Sequence, residues 1–538
     1  MKTLILTAGK IDYTRLPFGM HQSNATIPVN GKPVISWILD DLIKKGIEEI
    51  SIVIREENNG LKQLLEKHYS KRIGLKITTI NNPKSILESL NSGLKEVDND
   101  KEGVQVILGD TLIYDSFESL KDTLLVSPVS HTENWCAVQT NEQGALIGLV
   151  DKKEIPGDNH LALCGYYCFS NIELLKKSIA TSLERQAKEL SDTLLNYNAV
   201  EPLKLKIAEN WFDFGHLESF IQSKKTLLRP RHFNQLTINP LLNTITKVSE
   251  KSDKLEDELN WYKLLPEELK VLTPRILNQN NQDEGTITIT QEFYGYPALS
   301  ELFVYGDLSV SVWESIIDYL LDILQLFRGY KREVTPSLFE EMYQKKTEER
   351  INQLLQQNSF WAEIWELKEI TINGIIYPNI SAILKNLELK TKELSNNHTF
   401  TIIHGDYCLS NILYDLNNQI VRLIDPRGSF GEKGIYGDSR YDIAKLRHSI
   451  SGSYDYIVGD LFNINTTDGR IEYSIFEDKK NKYLEEYLDH CIMKNGYDLN
   501  EIKHIEGLLF LSMIPYHRDH FERQQIMYAK CIQILSVL

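Results

Sequence analysis

A short motif, HGDYCLSN (residues 404–411), carries side chains whose types and spacing suit phosphoryl transfer. It lies between two apolar stretches that predict strands, and a second motif, LIDPRG (residues 423–428), follows it. The carboxylate of Asp406 can accept the proton of a substrate hydroxyl. Asn411 and Asp425 can hold magnesium against the phosphates of a nucleotide. Because a hydroxyl is a weak nucleophile, such a site works mainly by positioning and by neutralising charge on the transferred group.

A lysine and an acid upstream suit the same reaction. Lys247 lies in a predicted strand, TITKVSE, and Glu258 in a predicted helix, KLEDELNWYKLL. A lysine that holds nucleotide phosphates and an acid that orients this lysine require such an arrangement. Lys251, Lys254 and Glu256 remain alternatives for the two roles.

Another set of residues, in the first half of the chain, suits nucleotidyl transfer. Asp110 ends the apolar run VQVILGD, and Asp213 lies in WFDFGHLESF. Two acids at strand ends or in loops can share one magnesium ion, which bridges the α-phosphate of a nucleoside triphosphate and the phosphate of an acceptor. The first predicted strand, LILTAG, runs into a glycine-bearing loop, where the backbone can approach a base and its phosphates.

The elements that must position these acids follow an alternating pattern. Short β-branched runs (LILTA, EISIVI, VQVILGD) alternate with helical stretches (PVISWILDDLIKKG, SILESLNSGLKEV). Such alternation predicts a parallel sheet with crossover helices. We therefore expect an α/β domain over residues 1–228.

The pattern changes after the basic, proline-broken run KKTLLRPRHF. HFNQLTINP, NTITKVSE and GTITITQEF predict the strands of a small sheet, which we place in a β-rich lobe over residues 229–307. Almost everything after Ser309 is expected to be helical, apart from TFTIIHGD and a hairpin, NILYDLNNQIVRLID. We therefore predict a larger helical lobe over residues 308–538, which contains the catalytic loop.

The composition excludes several classes of protein. The chain has 538 residues, a hydrophobic fraction of 42% and a formal charge of −16. These values are typical of a folded chain of several domains, and the negative charge repels polyphosphate and anionic lipid. We therefore expect neither nucleic acid nor a membrane as a partner. The six cysteines form no CxxC pair, and no apolar run is long enough to span a membrane. We therefore expect a cytoplasmic protein, and its oligomeric state stays undetermined.

From about residue 231, HGDxxxxN and the later aspartate resemble the motifs of the aminoglycoside phosphotransferase and choline kinase superfamily, a branch of the protein-kinase-like fold. The resemblance implies a bilobal α+β domain that uses ATP and Mg²⁺, with Asp406 as the catalytic base and Asn411 and Asp425 as magnesium ligands. An acid of DSRYDIAKL such as Asp442 would brace the catalytic loop. The adenine-contacting hinge would consist of Gln291, Glu292, Phe293 and Tyr294.

Residues 1 to about 228 resemble the nucleotidyltransferases that make nucleotide-activated sugars and alcohols on a doubly wound sheet related to the GT-A glycosyltransferases. The segments TAG, TRLP, PVNGKPVI, LGD and WFDFGH match in order. The resemblance implies that Asp110 and Asp213 bind the metal ion. It implies further that the nucleotide is contacted by Ala8, Gly9, Ser85 and the catalytic cation Arg15.

This half departs from the family pattern at two points. The usual GxGTR loop is GKIDYTR here, and the lysine of the family's PK pair falls by spacing on Asn24. That lysine normally stabilises charge on the attacked phosphate, and losing such a contact costs about two or more orders of magnitude in rate. Either Lys10 or His21 takes its place, or the domain is a degenerate scaffold or binding site.

The two halves together predict two consecutive reactions. ATP phosphorylates a small alcohol or sugar hydroxyl, and the phosphomonoester then attacks a second nucleotide, which we expect to be CTP, and releases pyrophosphate. The domain order is similar to that of fused choline kinase and phosphocholine cytidylyltransferase proteins, which implies a precursor for the decoration of capsule or lipopolysaccharide. Two alternatives remain, a kinase whose first domain only binds nucleotide and a non-catalytic assembly protein. The intact set of Asp406, Asn411 and Asp425 argues against the latter.

Overall fold

The computed structural model describes residues 1–10, 23–97, 103–157, 159–227, 234–249, 252–281, 287–396, 399–467 and 469–537. Three residues considered above, Arg15, His21 and Lys251, lie outside the described residues. The chain divides into two compact units, residues 1–227 with 305–307 and residues 228–304 with 308–538. Within the described part of the chain, no helix is both long and apolar enough to cross a membrane.

A nine-stranded sheet forms the centre of the first unit. Strand Lys2–Leu6 pairs in parallel with Glu49–Arg55 on one side and with Val104–Leu108 on the other, and Gly74–Ile80 extends the parallel part. Strand His160–Phe169 joins Val104–Leu108 in antiparallel orientation. The central strands are buried almost throughout, which their continuous apolar runs predict. This sheet confirms the predicted α/β fold.

The strands and helices of the first unit are as follows. The strands are Lys2–Leu6, Pro28–Val29, Lys32–Pro33, Glu49–Arg55, Gly74–Ile80, Val104–Leu108, Thr111–Ile113, Thr123–Val129, Cys136–Thr140, Leu146–Asp151, His160–Phe169, Lys204–Ile207 and Trp211–Asp213. The helices are Val34–Lys44, Asn59–Tyr69, Ile86–Lys95, Ile172–Glu184, Leu190–Asn198 and Leu217–Thr226, with a 3₁₀ turn at Asn24–Thr26.

The second unit begins with the predicted small sheet, which is antiparallel. Its order is Asn234–Asn239, Thr244–Ser249, Ile287–Glu292, Ile276–Asn281. Helix Ser252–Leu264 packs on it, and four apolar side chains form the shared core: Leu255, Leu259, Ile287 and Ile289. Every second residue of the strand ITITQE is buried. This alternation gives the strand an apolar face, which packs against the helix.

The prediction that almost everything after Ser309 is helical is partly wrong. The hairpin of Ile412–Asp415 with Ile420–Leu423 is confirmed. In addition, the structure contains a four-stranded sheet made of two hairpins, one over residues 369–378 and one over residues 462–475. Thr371 and Ile372 pair in parallel with Arg470 and Ile471. Local periodicity cannot reveal such a pairing, because it joins segments that are distant in sequence.

The remaining elements of this part of the chain complete the fold. The strands are Lys331–Glu333, Glu369–Ile372, Ile375–Pro378, Thr399–Ile402, Ile412–Asp415, Ile420–Leu423, Ser429–Phe430, Glu432–Lys433, Tyr436–Gly437, Phe462–Thr467 and Arg470–Ile475. The helices are Leu299–Tyr305, Val310–Arg328, Ser337–Phe339, Lys346–Leu355, Ser359–Glu366, Ile380–Ile383, Leu387–Leu394, Ser439–Ile450, Tyr454–Val458, Lys479–Lys494, Leu499–Met513 and Phe521–Leu535. The 3₁₀ turns lie at Glu267–Leu272, Leu384–Asn386, Leu409–Asn411 and Ile514–His517, and a π-helical turn lies at Glu340–Lys345.

Candidate active sites

The phosphoryl-transfer motif forms a buried loop after strand Thr399–Ile402. Asp442, on helix Ser439–Ile450, accepts hydrogen bonds from the backbone N–H groups of His404 (2.6 Å) and Gly405 (2.9 Å). The side chain of Asn411 donates to Oδ2 of Asp406 (2.8 Å) and to its backbone carbonyl (3.0 Å). These bonds hold the loop from behind and fix the direction of the Asp406 carboxylate, and Asp442 makes the bracing contact expected of it.

Asp406 has a cationic partner that the sequence analysis missed. Nζ of Lys445 lies 2.9 Å from Oδ1 of Asp406, and the lysine side chain is buried. Burial by itself would raise the pKa of Asp406, but Lys445 and the bond from Asn411 outweigh burial and lower this pKa to about 2. Asp406 is therefore an anion at neutral pH. The sequence does contain a signal for Lys445. The spacing DIAK puts Lys445 on the same helix face as Asp442, one turn further along.

Lys247 joins the small sheet to the second motif. Its ammonium donates to Oε1 of Glu258 (2.7 Å) and to Oδ1 of Asp425. Burial alone would lower the pKa of Lys247, but the facing carboxylates of Asp425 and Glu258 raise it well above its usual value. The alternatives Lys254 and Glu256 are exposed, so the structure favours Lys247 and Glu258 as the pair.

The predicted magnesium ligands lie close to each other. The backbone N–H of Ile424 donates to the carbonyl of Asn411 (3.0 Å), and this bond brings the segment of Asp425 beside the catalytic loop. An amide oxygen and a carboxylate are oxygen donors of the kind that Mg²⁺ takes. The donor set therefore fits the metal ion that the family implies, and Asp425 also contacts the ammonium of Lys247.

The predicted hinge lies at the end of strand Ile287–Glu292. Gln291 is buried, and its Oε1 has no hydrogen-bond partner among the described residues. The backbone N–H of Phe293 donates to the carbonyl of Asn243 (2.8 Å), and the hydroxyl of Tyr294 donates to Oε2 of Glu292 (2.8 Å). These bonds make the segment continuous with the small sheet, and its contact with adenine stays a prediction.

In the first unit, Asp110 and Asp213 face the same point. The backbone N–H of Phe214 donates to the carbonyl of Asp110 (3.1 Å). A Cβ placed on Gly215 would lie 3.5 Å from Oδ1 of Asp213 and 3.7 Å from Oδ2 of Asp110. Burial, and then the charge of Asp213, raise the pKa of Asp110. Two neighbouring carboxylates that face one point form a donor set that fits a divalent cation.

Asn24 adjoins this pair of acids. Its Nδ2 donates to Oδ2 of Asp110 (2.7 Å), and its backbone N–H donates to the carbonyl of Gly9 (3.3 Å). The position at which the family carries a lysine is therefore in direct contact with a predicted metal ligand. Lys10, one of the replacements considered for that lysine, pairs instead with Glu57 (3.2 Å).

Other residues around the first site have local structural partners. The carbonyl of Ala8 accepts a hydrogen bond from Nε of the buried Arg55 (2.7 Å). Ser85 caps helix Ile86–Lys95, because its Oγ accepts the backbone N–H of Glu88 (3.3 Å). The contact of Ser85 with a base stays a prediction.

Two residues that the sequence analysis did not select orient Asp213. Ser219 donates its hydroxyl to Oδ2 of Asp213 (2.7 Å), and Nδ1 of His216 lies 3.2 Å from the same oxygen. Both follow Asp213 within the segment DFGHLES, at the start of helix Leu217–Thr226. Their proximity to Asp213 in the sequence is the signal that could have identified them.

Known families match both halves of the chain. The pattern of the family described as "Nucleotidyl transferase" matches residues 2–229, and that of the "Phosphotransferase enzyme family" matches residues 240–451. The chain joins a nucleotidyl transferase domain to a phosphotransferase domain. Both are families of enzymes, as the two sets of acids indicate.

Curated relatives share sequence with part of the chain. The glucose-1-phosphate thymidylyltransferase of Neisseria meningitidis serogroup A is 26% identical over 276 residues, which cover 48% of this chain and 93% of that protein. The enzyme of the same name from Mycolicibacterium smegmatis is 24% identical over 240 residues, or 41% of this chain and 81% of that protein. Among solved structures, HddC from Yersinia pseudotuberculosis, complexed with GMP-PN, is 15% identical, covers 42% of this chain and 99% of that one, and has a TM-score of 0.34, too low to support an argument.

Proposed function

We propose that the chain is a bifunctional enzyme that phosphorylates a small alcohol or sugar hydroxyl with ATP and then transfers a nucleotidyl group to the phosphomonoester. The observation that carries the proposal is the arrangement around Asp406. An ionised carboxylate, held by Asn411 and Lys445, lies in the same unit as a lysine that contacts both Glu258 and Asp425. A purely structural domain has no evident use for these two charged groups.

In the phosphotransferase domain, Asp406 accepts a hydrogen bond from the acceptor hydroxyl and takes its proton as the new O–P bond forms. The bond between the γ-phosphorus and the bridging oxygen breaks, and ADP leaves. Lys247 holds the nucleotide phosphates, and Glu258 orients Lys247. Asn411 and Asp425 would hold Mg²⁺, which neutralises charge on the phosphates when it is bound.

In the nucleotidyl transferase domain, an oxygen of the phosphomonoester attacks the α-phosphorus of a triphosphate, and pyrophosphate leaves. Asp110 and Asp213 would hold the Mg²⁺ that screens the two phosphates from each other. The bonds from His216 and Ser219 keep Asp213 directed at this point. Ala8, Gly9, Ser85 and Arg15 are proposed to contact the nucleotide.

The proposed second nucleotide is CTP, and the proposed product is an activated precursor for decoration of capsule or lipopolysaccharide. Two relatives are named glucose-1-phosphate thymidylyltransferases, so dTTP belongs beside CTP in every assay. Both reactions consume nucleoside triphosphates, which supports a cytoplasmic location.

A second candidate function is that of a kinase whose first domain binds nucleotide without turnover. The hydrogen bond from Asn24 to Asp110 favours it, because a neutral amide stands where the family places a cation. The two functions differ in one measurable product, pyrophosphate.

The kinase activity is tested by ADP formation from ATP and Mg²⁺ with a panel of polyols and sugars. We expect Asp406→Asn to lower phosphoryl transfer by about two to four orders of magnitude while ATP still binds. Turnover within about tenfold of the parent would mean that Asp406 is not the base.

The nucleotidyl transferase activity is tested by pyrophosphate release, with the phosphorylated product of the kinase as acceptor and each common triphosphate in turn. Release that Asp110→Ala abolishes supports the bifunctional enzyme. No release with any triphosphate, once the kinase product is supplied, leaves the single-activity kinase.

A further inference from the structure

Four cationic side chains lie close enough to act on one another electrostatically, and one of them, Lys445, contacts the proposed base. We refer to them as the basic cluster: Lys346, Arg350, Arg427 and Lys445. Arg427 lies against the catalytic loop, because a Cβ placed on Gly405 would be 2.8 Å from Cβ of Arg427. Its backbone N–H also donates to the carbonyl of His404 (2.9 Å). Arg427 is therefore fixed beside the residue that precedes Asp406.

Tyr441 links two members of the basic cluster. Nη1 of Arg427 donates to the hydroxyl of Tyr441 (2.9 Å), and Nζ of Lys346 lies 6.0 Å from the centre of the same ring. The side chains of Lys346 and Arg427 thus converge on one ring, although they come from different segments of the chain.

The basic cluster lacks matching acids. Within the described residues, neither Lys346 nor Arg350 nor Arg427 has a carboxylate within 4.0 Å, and the acid paired with Lys445 is Asp406 itself. This excess of cations stands out in a chain whose acids outnumber its basic residues by 75 to 59. Burial, and then the charges of Arg427, Lys445 and Arg350, lower the pKa of Lys346 well below its usual value. An anion bound among these side chains would relieve this repulsion.

The backbone before Lys346 is also unusual. A single π-helical turn, Glu340–Lys345, interrupts the helical segment immediately before it. Such turns are rare and occur frequently at functional sites, because they change the direction of the side chains that follow. Lys345 is exposed and pairs with Glu341 (3.4 Å), whereas the ammonium of the next residue, Lys346, lies over the ring of Tyr441.

The basic cluster is distinct from the nucleotide side of the site. Lys247 contacts Asp425 and Glu258, whereas the basic cluster contacts Asp406 through Lys445. Among the described residues, the two groups share no salt-bridge partner. Lys247 and the magnesium ligands are the groups that hold the phosphates of ATP. The basic cluster adjoins Asp406, the group that receives the acceptor hydroxyl.

We propose that the phosphoryl acceptor is an anionic alcohol, which already carries a phosphate or carboxylate group before the kinase acts, and that Lys346 and Arg427 bind this group. The inference rests on the proposed kinase function. The acceptor hydroxyl gives its proton to Asp406, its oxygen forms the new bond to the γ-phosphorus, and ADP leaves. The product then carries two anionic groups, the original one and the new phosphomonoester that the nucleotidyl transferase domain would use.

The first experiment compares matched acceptors on the full chain. Each neutral sugar or polyol is paired with its phosphorylated and its carboxylated counterpart, so that the two sources of charge are told apart. We expect one anionic class to have a kcat/KM at least about 100-fold above the neutral parent, because two charge-assisted contacts are lost in the latter. Equal or better use of neutral acceptors would overturn the proposal.

The second experiment uses variants of Lys346 and Arg427. Lys346→Met and Arg427→Met should each raise KM for the anionic acceptor by about 10- to 100-fold and leave KM for ATP within about twofold. The matched control is Lys345→Met, which removes the adjacent, exposed lysine and should change neither constant. A rise in KM for ATP alone would assign the basic cluster to the nucleotide and overturn the proposal.

The third experiment needs no turnover. Inorganic phosphate serves as the probe in calorimetry on the full chain saturated with Mg²⁺ and a non-hydrolysable ATP analogue. The proposal is supported if the Lys346→Met/Arg427→Met double variant loses phosphate binding and Lys345→Met keeps it. The proposal is overturned if the double variant still binds phosphate, or if the parent does not bind it. Failure of the proposed function would look different, because neither ATP binding nor transfer to any acceptor would then be detected.

Discussion

The ammonium of Lys445 lies 2.9 Å from the carboxylate of Asp406 and is its cationic partner among the described residues. The pair sets the charge of the proposed base, because burial alone would keep Asp406 protonated to a higher pH. Lys445 is thus a positioning residue, which acts on the acceptor through Asp406.

Lys445→Met should raise the pKa of Asp406 from about 2, since burial is then less opposed. The carboxylate of Asp406 must be ionised to accept the proton, so the acidic limb of the kcat profile should move to higher pH. We also expect kcat at neutral pH to fall by about 10- to 100-fold, the cost of a misdirected base. The measurement is kcat against pH, and Lys445→Arg, which keeps the positive charge, should leave the acidic limb in place. An unmoved limb in the methionine variant would contradict the assigned role.

Arg447 anchors the helix that carries Lys445. Its guanidinium donates to both oxygens of Asp489 (2.8 and 3.1 Å) and to Oε2 of the fully buried Glu506. Arg447→Met should lower the free energy of unfolding by about 3–5 kcal/mol, because it leaves the charge of Glu506 buried without a partner. Urea denaturation of the full chain measures this change in the transition of the second unit. The double variant Arg447→Met/Glu506→Met should recover most of the loss, and equal destabilisation of both variants would show that packing, not charge, is responsible.

Gly428 allows the second motif to approach the helix that carries Glu258. It has a φ of +68°, and a Cβ at this position would lie 2.1 Å from the carbonyl oxygen of Asp257. Gly428→Ala should therefore push Asp425 away from Lys247 and weaken the binding of ATP with Mg²⁺ by tenfold or more. The matched control is Gly374→Ala, which has a similar φ of +77° but no atom within 4 Å of the new Cβ. The control is destabilised only by backbone strain, about 1 kcal/mol. Similar ATP affinities of the two variants would therefore contradict the steric argument.

Asn24→Lys tests the departure of the first domain from its family. The new ammonium can reach Asp110, which Asn24 already contacts at 2.7 Å, and can stabilise charge on the attacked phosphate. We expect the rate of pyrophosphate release to rise by about tenfold or more. Asn24→Ala, which removes the contact without adding a cation, is the control and should not show the rise. A lysine variant slower than the parent would mean that the site is adapted to the amide.

Several features could be read from local sequence, because they depend on neighbouring residues alone. The alternating runs of the first half predict its parallel sheet, since continuous β-branched segments need burial on both faces. The strand of Lys247 and the helix of Glu258 were also predicted from local sequence, through the periodicity of their apolar residues. The motifs HGDYCLSN and LIDPRG identified Asp406, Asn411 and Asp425 as candidates, because their chemistry requires fixed residue types at short spacing.

Other features were decided by the tertiary structure, because they join residues that are distant along the chain. The pairing of Thr371 with Arg470 created a sheet in a region expected to be helical. Asn24 could be recognised in sequence as a missing lysine, but its bond to Asp110 depends on two strands that run side by side. The basic cluster combines a helix after a π-turn, a loop and a second helix. The sequence alone does not reveal the partner of a charged side chain. Packing decides whether a lysine lies beside a carboxylate, in solvent or, like Lys346, near other cations.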